Sequence, residues 1–248
     1  MTRGPARRPV VALAAATIAL AWCAGAALVT GQDPMAVAEL AVLGIVLTWA
    51  AFTVREIRAG HALGRALTAA SGEAAVAGLP CRLIEAGPHD AFVVGALSPT
   101  IYVGAGYAAS LDEDELRAVM LHEEHHRRTR APLRAAALES WRRLARPSRF
   151  VQGFVTARLA ELEVAADAFA IDRGADPGAL ASALLKSERG SSRAAAFSGA
   201  ADLRIAALVG AARGEPARPT RLPVEWLPLP LIGVVLMACH VGIALGVG

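Results

Sequence analysis

Lysine is almost missing from this 248-residue chain: Lys186 is the only one, so arginine supplies nearly all the positive charge. Aromatic residues are scarce as well, at 5%. A net charge of +3 and a pI near 9.1 would suit a nucleic-acid partner. The arginines, however, lie between apolar segments and lack the aromatic neighbours that stack on bases, so no nucleic acid is expected. Cys23, Cys81 and Cys239 are too few and too scattered for a disulfide framework or a cysteine-based zinc site. Charged residues make up 19% against 55% hydrophobic, and the mean hydropathy is +0.44. That excludes disorder and an ordinary soluble domain, yet leaves too much charge for a chain buried wholly in lipid.

The apolar excess gathers in three runs. Pro9 to Thr30 has no charge, Met35 to Val54 has only Glu39, and Leu227 to Gly248 is uncharged. Each matches the roughly 20 residues a helix needs to cross the hydrocarbon core. Arg3, Arg7 and Arg8 precede the first run, Arg55, Arg58 and Arg65 follow the second, and Arg213, Arg218 and Arg221 precede the third. By the positive-inside rule all three clusters belong to the cytoplasm. The expected organisation is two membrane helices in 1–54 with a cytoplasmic amino terminus, a cytoplasmic domain in 55–225, and a third membrane helix in 226–248. The expected location is the cell membrane, multi-pass, with the lipid bilayer as a partner. Ala24-Gly25-Ala26 also resembles a signal-peptide cleavage site. Cleavage there would leave the second run in the same orientation.

Within the central domain, Arg55 to Gly78 has helical periodicity and is expected to continue the second span. CRLIEA, AFVVGAL and TIYVGAG then read as two or three strands of a small sheet, separated by Gly87-Pro88-His89-Asp90 and Ser98-Pro99. Beyond them the chain reads as helical. Ser110-Leu-Asp-Glu113 has capping-box spacing, acids fill the next turn, and arginines precede Pro132, which predicts a helix over about 112–130. A second long helix is expected over about 150–173, ended by Gly174, with two or three alanine-rich helices after it. The fold class is mainly α with a small β-sheet.

The first of these helices carries His122-Glu-Glu-His-His126, an instance of H-E-x-x-H. Histidines four apart on a helix lie one above the other, so both imidazoles can bind one zinc ion. Glu123 stands beside the first ligand, where it can take a proton from the attacking water. Leu116, Val119 and Met120 mark an apolar face whose rows continue through His122, Glu123 and His126, whereas Glu124 with Arg128 reads as an outer-face ion pair. Catalytic zinc needs a third protein ligand. Glu163, aligned with Leu159, Ala166 and Ala170 on the second helix, is the candidate. Asp167, one turn later, is placed to fix the tautomer of a ligating histidine. Both carboxylates could instead pair with Arg158 or Arg173.

LDEDELRAVMLHEEHH followed by ELEVAADAFA resembles the integral-membrane zinc endopeptidases of the BlaR/MecR type and their HtpX and Ste-type CAAX protease relatives. The likeness extends upstream through DAFVVGALSPTIYVGAG and downstream to ADLRIAALVG, over about 90–210. It implies a gluzincin-like metallopeptidase domain embedded between membrane helices. One zinc per chain would be held by His122, His126 and Glu163, with Glu123 as catalytic base and Asp167 behind the ligands. It also implies that TIYVGAG could pair with an extended substrate. Ala131 departs from the pattern, since relatives of the BlaR/MecR type often have Asp there. No penicillin-binding sensor domain is expected after the third run. Arg204 and Tyr107 are candidates to steady the oxyanion, though either suits a structural role equally.

The expected function is a membrane-anchored zinc-dependent endopeptidase that cuts a protein or peptide substrate. BlaR/MecR relatives suggest a cytoplasmic repressor as that substrate, and HtpX relatives suggest misfolded membrane proteins. The alternative is a catalytically silent membrane adaptor or signalling protein that keeps the fold. A small transporter is disfavoured, because the three runs offer almost no polar residues to line a path.

Overall fold

The computed structural model describes residues 34–85, 90–190, 204–205 and 207–213, and the side chains of 34–41 and 188–190 lie outside that description. In chain order the elements are α1 (Pro34–Ala69), β1 (Gly72–Val76), β2 (Leu79–Ile84), β3 (Ala91–Val94), β4 (Thr100–Gly104) and α2 (Ala105–Ser110). They continue with α3 (Glu113–Thr129), α4 (Ala131–Leu144), α5 (Arg149–Asp172) and α6 (Pro177–Gly190). Residues 207–212 are helical too. The chain divides into two units, one of residues 49–221 and one of 1–48 with 222–248. The sheet and the helices from α2 to α6 all belong to the unit of 49–221.

The class is as expected, mainly helical with a small mixed sheet of four strands in the order β1-β2-β4-β3. β1 and β2 are antiparallel, β2 and β4 parallel, and β3 and β4 antiparallel. The expected helix over 55–78 is cut short. It ends at Ala69, and Gly72–Val76 is a strand instead. The two-residue turn into β2 has φ of +48° at Ala77 and +76° at Gly78, the doubly positive pattern of a type I′ hairpin. Alanine at the first turn position hides that hairpin from sequence, because Asn, Asp or Gly is the usual signal.

α3 runs within one residue of its expected bounds. Its capping box is Asp112 with Glu115, not Ser110 with Glu113. The Glu115 amide donates to Asp112 Oδ1 at 2.8 Å, and the Asp112 amide donates to Glu115 Oε2 at 2.9 Å. The Ser110 hydroxyl donates to the Tyr107 carbonyl instead. Arg130, left-handed at φ +51°, ends α3, and Pro132 lies in the first turn of α4 rather than beyond a stop. There proline costs nothing, since first-turn amides have no helical partner.

α3 is the centre of the unit. Its Val119 and Met120 join Ile101, Val103 and Tyr107 in one core cluster, while Ala118 joins Ala170, Ala175, Leu180 and Leu208 in another. Ala118, Ala166 and Ala170 are fully buried. Side chains this small let α3 and α5 approach closely, and that brings the polar groups of the two helices together.

The expected spans at 9–30 and 227–248 lie outside the described residues. The second run, Met35 to Val54, coincides with the first part of α1. Among the described residues no helix is long and apolar enough to cross a membrane.

Candidate metal centre

α3 presents His122 and His126 one turn apart, and α5 presents Glu163 and Asp167 one turn apart. Ligand atoms of His122, His126 and Glu163 all lie within 4.8 Å of one another. His122 Nδ1 donates to Asp167 Oδ1 at 2.8 Å, so the neutral ring carries its proton on Nδ1 and keeps the Nε2 lone pair for a metal. The two Nε2 atoms are 3.0 Å apart, and each is 3.4 Å from an oxygen of Glu163. A tetrahedral ion with bonds of about 2.0–2.1 Å has ligands about 3.3–3.4 Å apart. His122 Nε2 faces Oε2 of Glu163 and His126 Nε2 faces Oε1, so the carboxylate straddles the two imidazoles at spacings close to those values. These residues can hold a metal ion.

The charge balance agrees with the spacing. The buried carboxylates of Glu123 and Asp167 and the half-buried one of Glu163 meet beside the guanidinium of Arg204. Burial and the charge of Arg204 resist protonation of His122, but Asp167 and Glu163 outweigh them and lift its pKa to about 9. The field that draws a proton onto His122 draws any small cation to the same place. Burial likewise opposes ionisation of Glu163, yet its contacts with His122 and His126 hold its carboxyl well below the usual range. The buried Nδ1 of His126 has no hydrogen-bond partner among the described residues.

Glu123 is 7% exposed on the same face of α3. Burial lifts its carboxyl to about 7, against the pull of His126 and His122. It therefore sits next to the ligand cluster, with a proton affinity suited to exchange near neutral pH.

The two candidates for oxyanion support separate. Arg204 grips Asp167 with Nε–Oδ2 and Nη2–Oδ1 contacts of 2.8 Å each, and its Nη1 lies 3.3 Å from Glu163 Oε2. It stands behind the ligands as a brace. Tyr107 is 3% exposed in the first core cluster, and its hydroxyl donates to the Ala183 carbonyl at 3.1 Å. It ties α2 to α6. Arg158, the rival partner for the α5 carboxylates, pairs with Glu161 instead.

Two further expectations change. Glu124 is not on a solvated face: it is 2% exposed and accepts from Arg127 and Arg128 at 2.6 Å each. β4, the strand of TIYVG, is interior to the sheet, so it has no free edge for a substrate. Among the described residues the free edge next to it belongs to β3, which also packs against α3.

Asp90 reads in sequence as a turn residue, and the structure gives it a second place. It precedes β3, accepts from the Ala91 amide at 2.9 Å, and its carboxyl is raised by burial. Arg204, Glu163 and His122 all act on it electrostatically, so it borders the site. No spacing rule marks such a residue.

Compared with known proteins, the chain matches no family model, no curated protein and no solved structure.

Proposed function

We propose that the chain is a membrane-anchored, zinc-dependent endopeptidase of gluzincin-like fold, with its active site facing the cytoplasm. The observation that carries this reading is the meeting of His122, His126 and Glu163, with Glu123 on the same helix face. Two imidazoles and a carboxylate are the donor set of a catalytic zinc site that keeps one position open. When bound, zinc supplies a Lewis acid for the scissile carbonyl and acidifies the attacking water.

The chain's own groups supply the rest. Glu123 accepts the proton of the attacking water and passes it to the leaving amine, a double duty that favours a carboxyl titrating near neutrality. Asp167 holds the His122 ring in the tautomer with a free Nε2, and Arg204 holds Asp167. An extended substrate would add as a strand to the free edge of β3, with backbone hydrogen bonds giving affinity regardless of side chain. A cytoplasmic repressor or a misfolded membrane protein would meet that requirement equally, since either can present an extended segment.

The membrane part of the proposal rests on the three apolar runs. It draws further support from α1, where Leu43, Ile45, Leu47 and Val54 are 39–60% exposed and point to more than one side. A helix that is apolar all round suits a lipid surrounding.

Glu123→Gln separates enzyme from adaptor. The variant should keep its metal while cleavage of an unfolded protein by the detergent-solubilised full chain falls by about 10²–10⁴-fold. Full cleavage by Glu123→Gln would overturn the assignment of the base. Full cellular activity in a variant that no longer cleaves would favour the adaptor.

A further inference from the structure

We propose that α4, with the turns at its two ends, is a surface that binds the anionic headgroups of phospholipids in the leaflet that α1 enters. The proposal rests on the membrane anchoring proposed for α1. Residues 127–149 carry eight arginines and one acid, Glu139. Clusters of 4–8 basic residues beside a membrane-entering helix are what an anionic leaflet attracts.

The structure adds placement to composition. Trp49 Nε1 donates to the Ala137 carbonyl at 3.1 Å, and its ring stacks on Trp141 with centroids 5.9 Å apart. Arg143 pairs with Glu56 at 3.0 Å. These contacts fix α4 beside residues 49–56, where the apolar run of α1 gives way to Arg55 and Glu56. That change marks the boundary between hydrocarbon and headgroups, the level at which tryptophan indoles also settle.

Pairing sorts the arginines. Glu124 takes Arg127 and Arg128, Glu139 takes Arg142, and Glu56 takes Arg143. Arg130 and Arg134 at the start of α4, and Arg146 and Arg149 beyond its end, are exposed and form no ion pair among the described residues. Their guanidinium groups are thus open to phosphate, which they bind through two parallel N–H donors. An RNA strand carries the same charge. Stacking on bases, however, would need free aromatic rings, and the one aromatic residue in the segment, Trp141, is engaged by Trp49.

The test uses the full chain in a nonionic detergent, mixed with equal amounts of phosphatidylglycerol and phosphatidylcholine of matched acyl chains. After repurification the retained lipids are counted by mass spectrometry. Wild type should retain phosphatidylglycerol over phosphatidylcholine by about threefold or more, with the preference shrinking as salt rises. The combined variant Arg134→Gln, Arg146→Gln, Arg149→Gln should fall to near parity with unchanged metal content, while Arg117→Gln, outside the segment, should keep the preference. Equal retention of both lipids by wild type, or loss of preference in Arg117→Gln, would overturn the headgroup site and leave the membrane reading standing. Recovery of wild type in the soluble fraction without detergent would overturn the membrane reading itself. Nuclease-sensitive nucleic acid that copurifies with wild type and not with the triple variant would replace lipid by RNA.

Discussion

His122 is the residue on which the site turns, because both of its ring nitrogens are committed. Nδ1 donates to Asp167, and Nε2 converges with His126 and Glu163. Neutralising the acceptor should therefore cost metal affinity without removing a candidate ligand. Asp167→Asn keeps the size of the side chain and loses its charge, and should weaken metal binding by about 10–100-fold in a competition titration of zinc against a chelator. Arg204 acts one step further out. Arg204→Gln should weaken metal binding less than Asp167→Asn does, and the double variant should lose less than the sum of the two, because Arg204 acts largely through its two contacts with Asp167 and more weakly on Glu163. Additive losses in that cycle would contradict the brace.

These residues differ in how far sequence alone reveals them. His122, Glu123 and His126 are legible because a helix of period 3.6 fixes their mutual placement within a single turn. Glu163 and Asp167 follow from the same periodicity on a second helix, once a third ligand is required. Arg204 and Tyr107 are two candidates for one role, and only tertiary packing assigns Arg204 to the ligand shell and Tyr107 to the core. Asp90 has no pattern to reveal it.

At the scale of elements, α3 is held at its amino end by a buried carboxylate. Glu115 accepts from Lys186 Nζ and from the Ser182 hydroxyl at 2.6 Å each, and from the Asp112 amide. Burial works against its ionisation, but Lys186, Ser182 and the amide prevail and hold its carboxyl below the usual value. A carboxyl depressed in the folded state stabilises the fold above its unfolded pKa, and that contribution fades as pH falls through the folded value. Glu115→Gln should lower stability at neutral pH by about 1–3 kcal/mol. Its thermal unfolding in detergent should also depend less on pH below about 4.5 than that of wild type. An unchanged acid profile would contradict the latch.

The contact between α3 and α5 can be tested by volume. Ala118 and Ala170 are fully buried in the same cluster. Ala170→Leu should cost about 1–3 kcal/mol by overpacking and should loosen metal binding, since it forces the Glu163 helix away from the His122 helix. Thermal unfolding and a chelator titration would read the two effects side by side.

Two helices are legible nearly to the residue: α3 by the acids of its first turn and the basic residues of its last, and α5 by Gly174 just past its end, whereas α1 stops short of its expected end and α4 starts where Pro132 reads as a stop. The β1 hairpin is not legible, because its turn opens on alanine and its strand has a single β-branched residue, Val76. Glu124 misleads for a related reason. An i,i+4 pair reads as surface whether or not the neighbouring helix covers it.

For the whole molecule, the membrane and the metal are separable claims. The apolar runs at 9–30, 35–54 and 227–248 predict that the chain stays with the membrane fraction after alkaline carbonate washing and is released by detergent. The three candidate ligands all come from α3 and α5, within one compact unit. The most direct test of the metal centre is elemental analysis of the detergent-purified full chain beside His122→Ala and Glu163→Ala. The proposed function predicts about one zinc per chain in wild type, lost in both variants, since each removes one of three candidate ligands. Wild type prepared without chelators that contains no zinc, or variants that keep it, would contradict the peptidase.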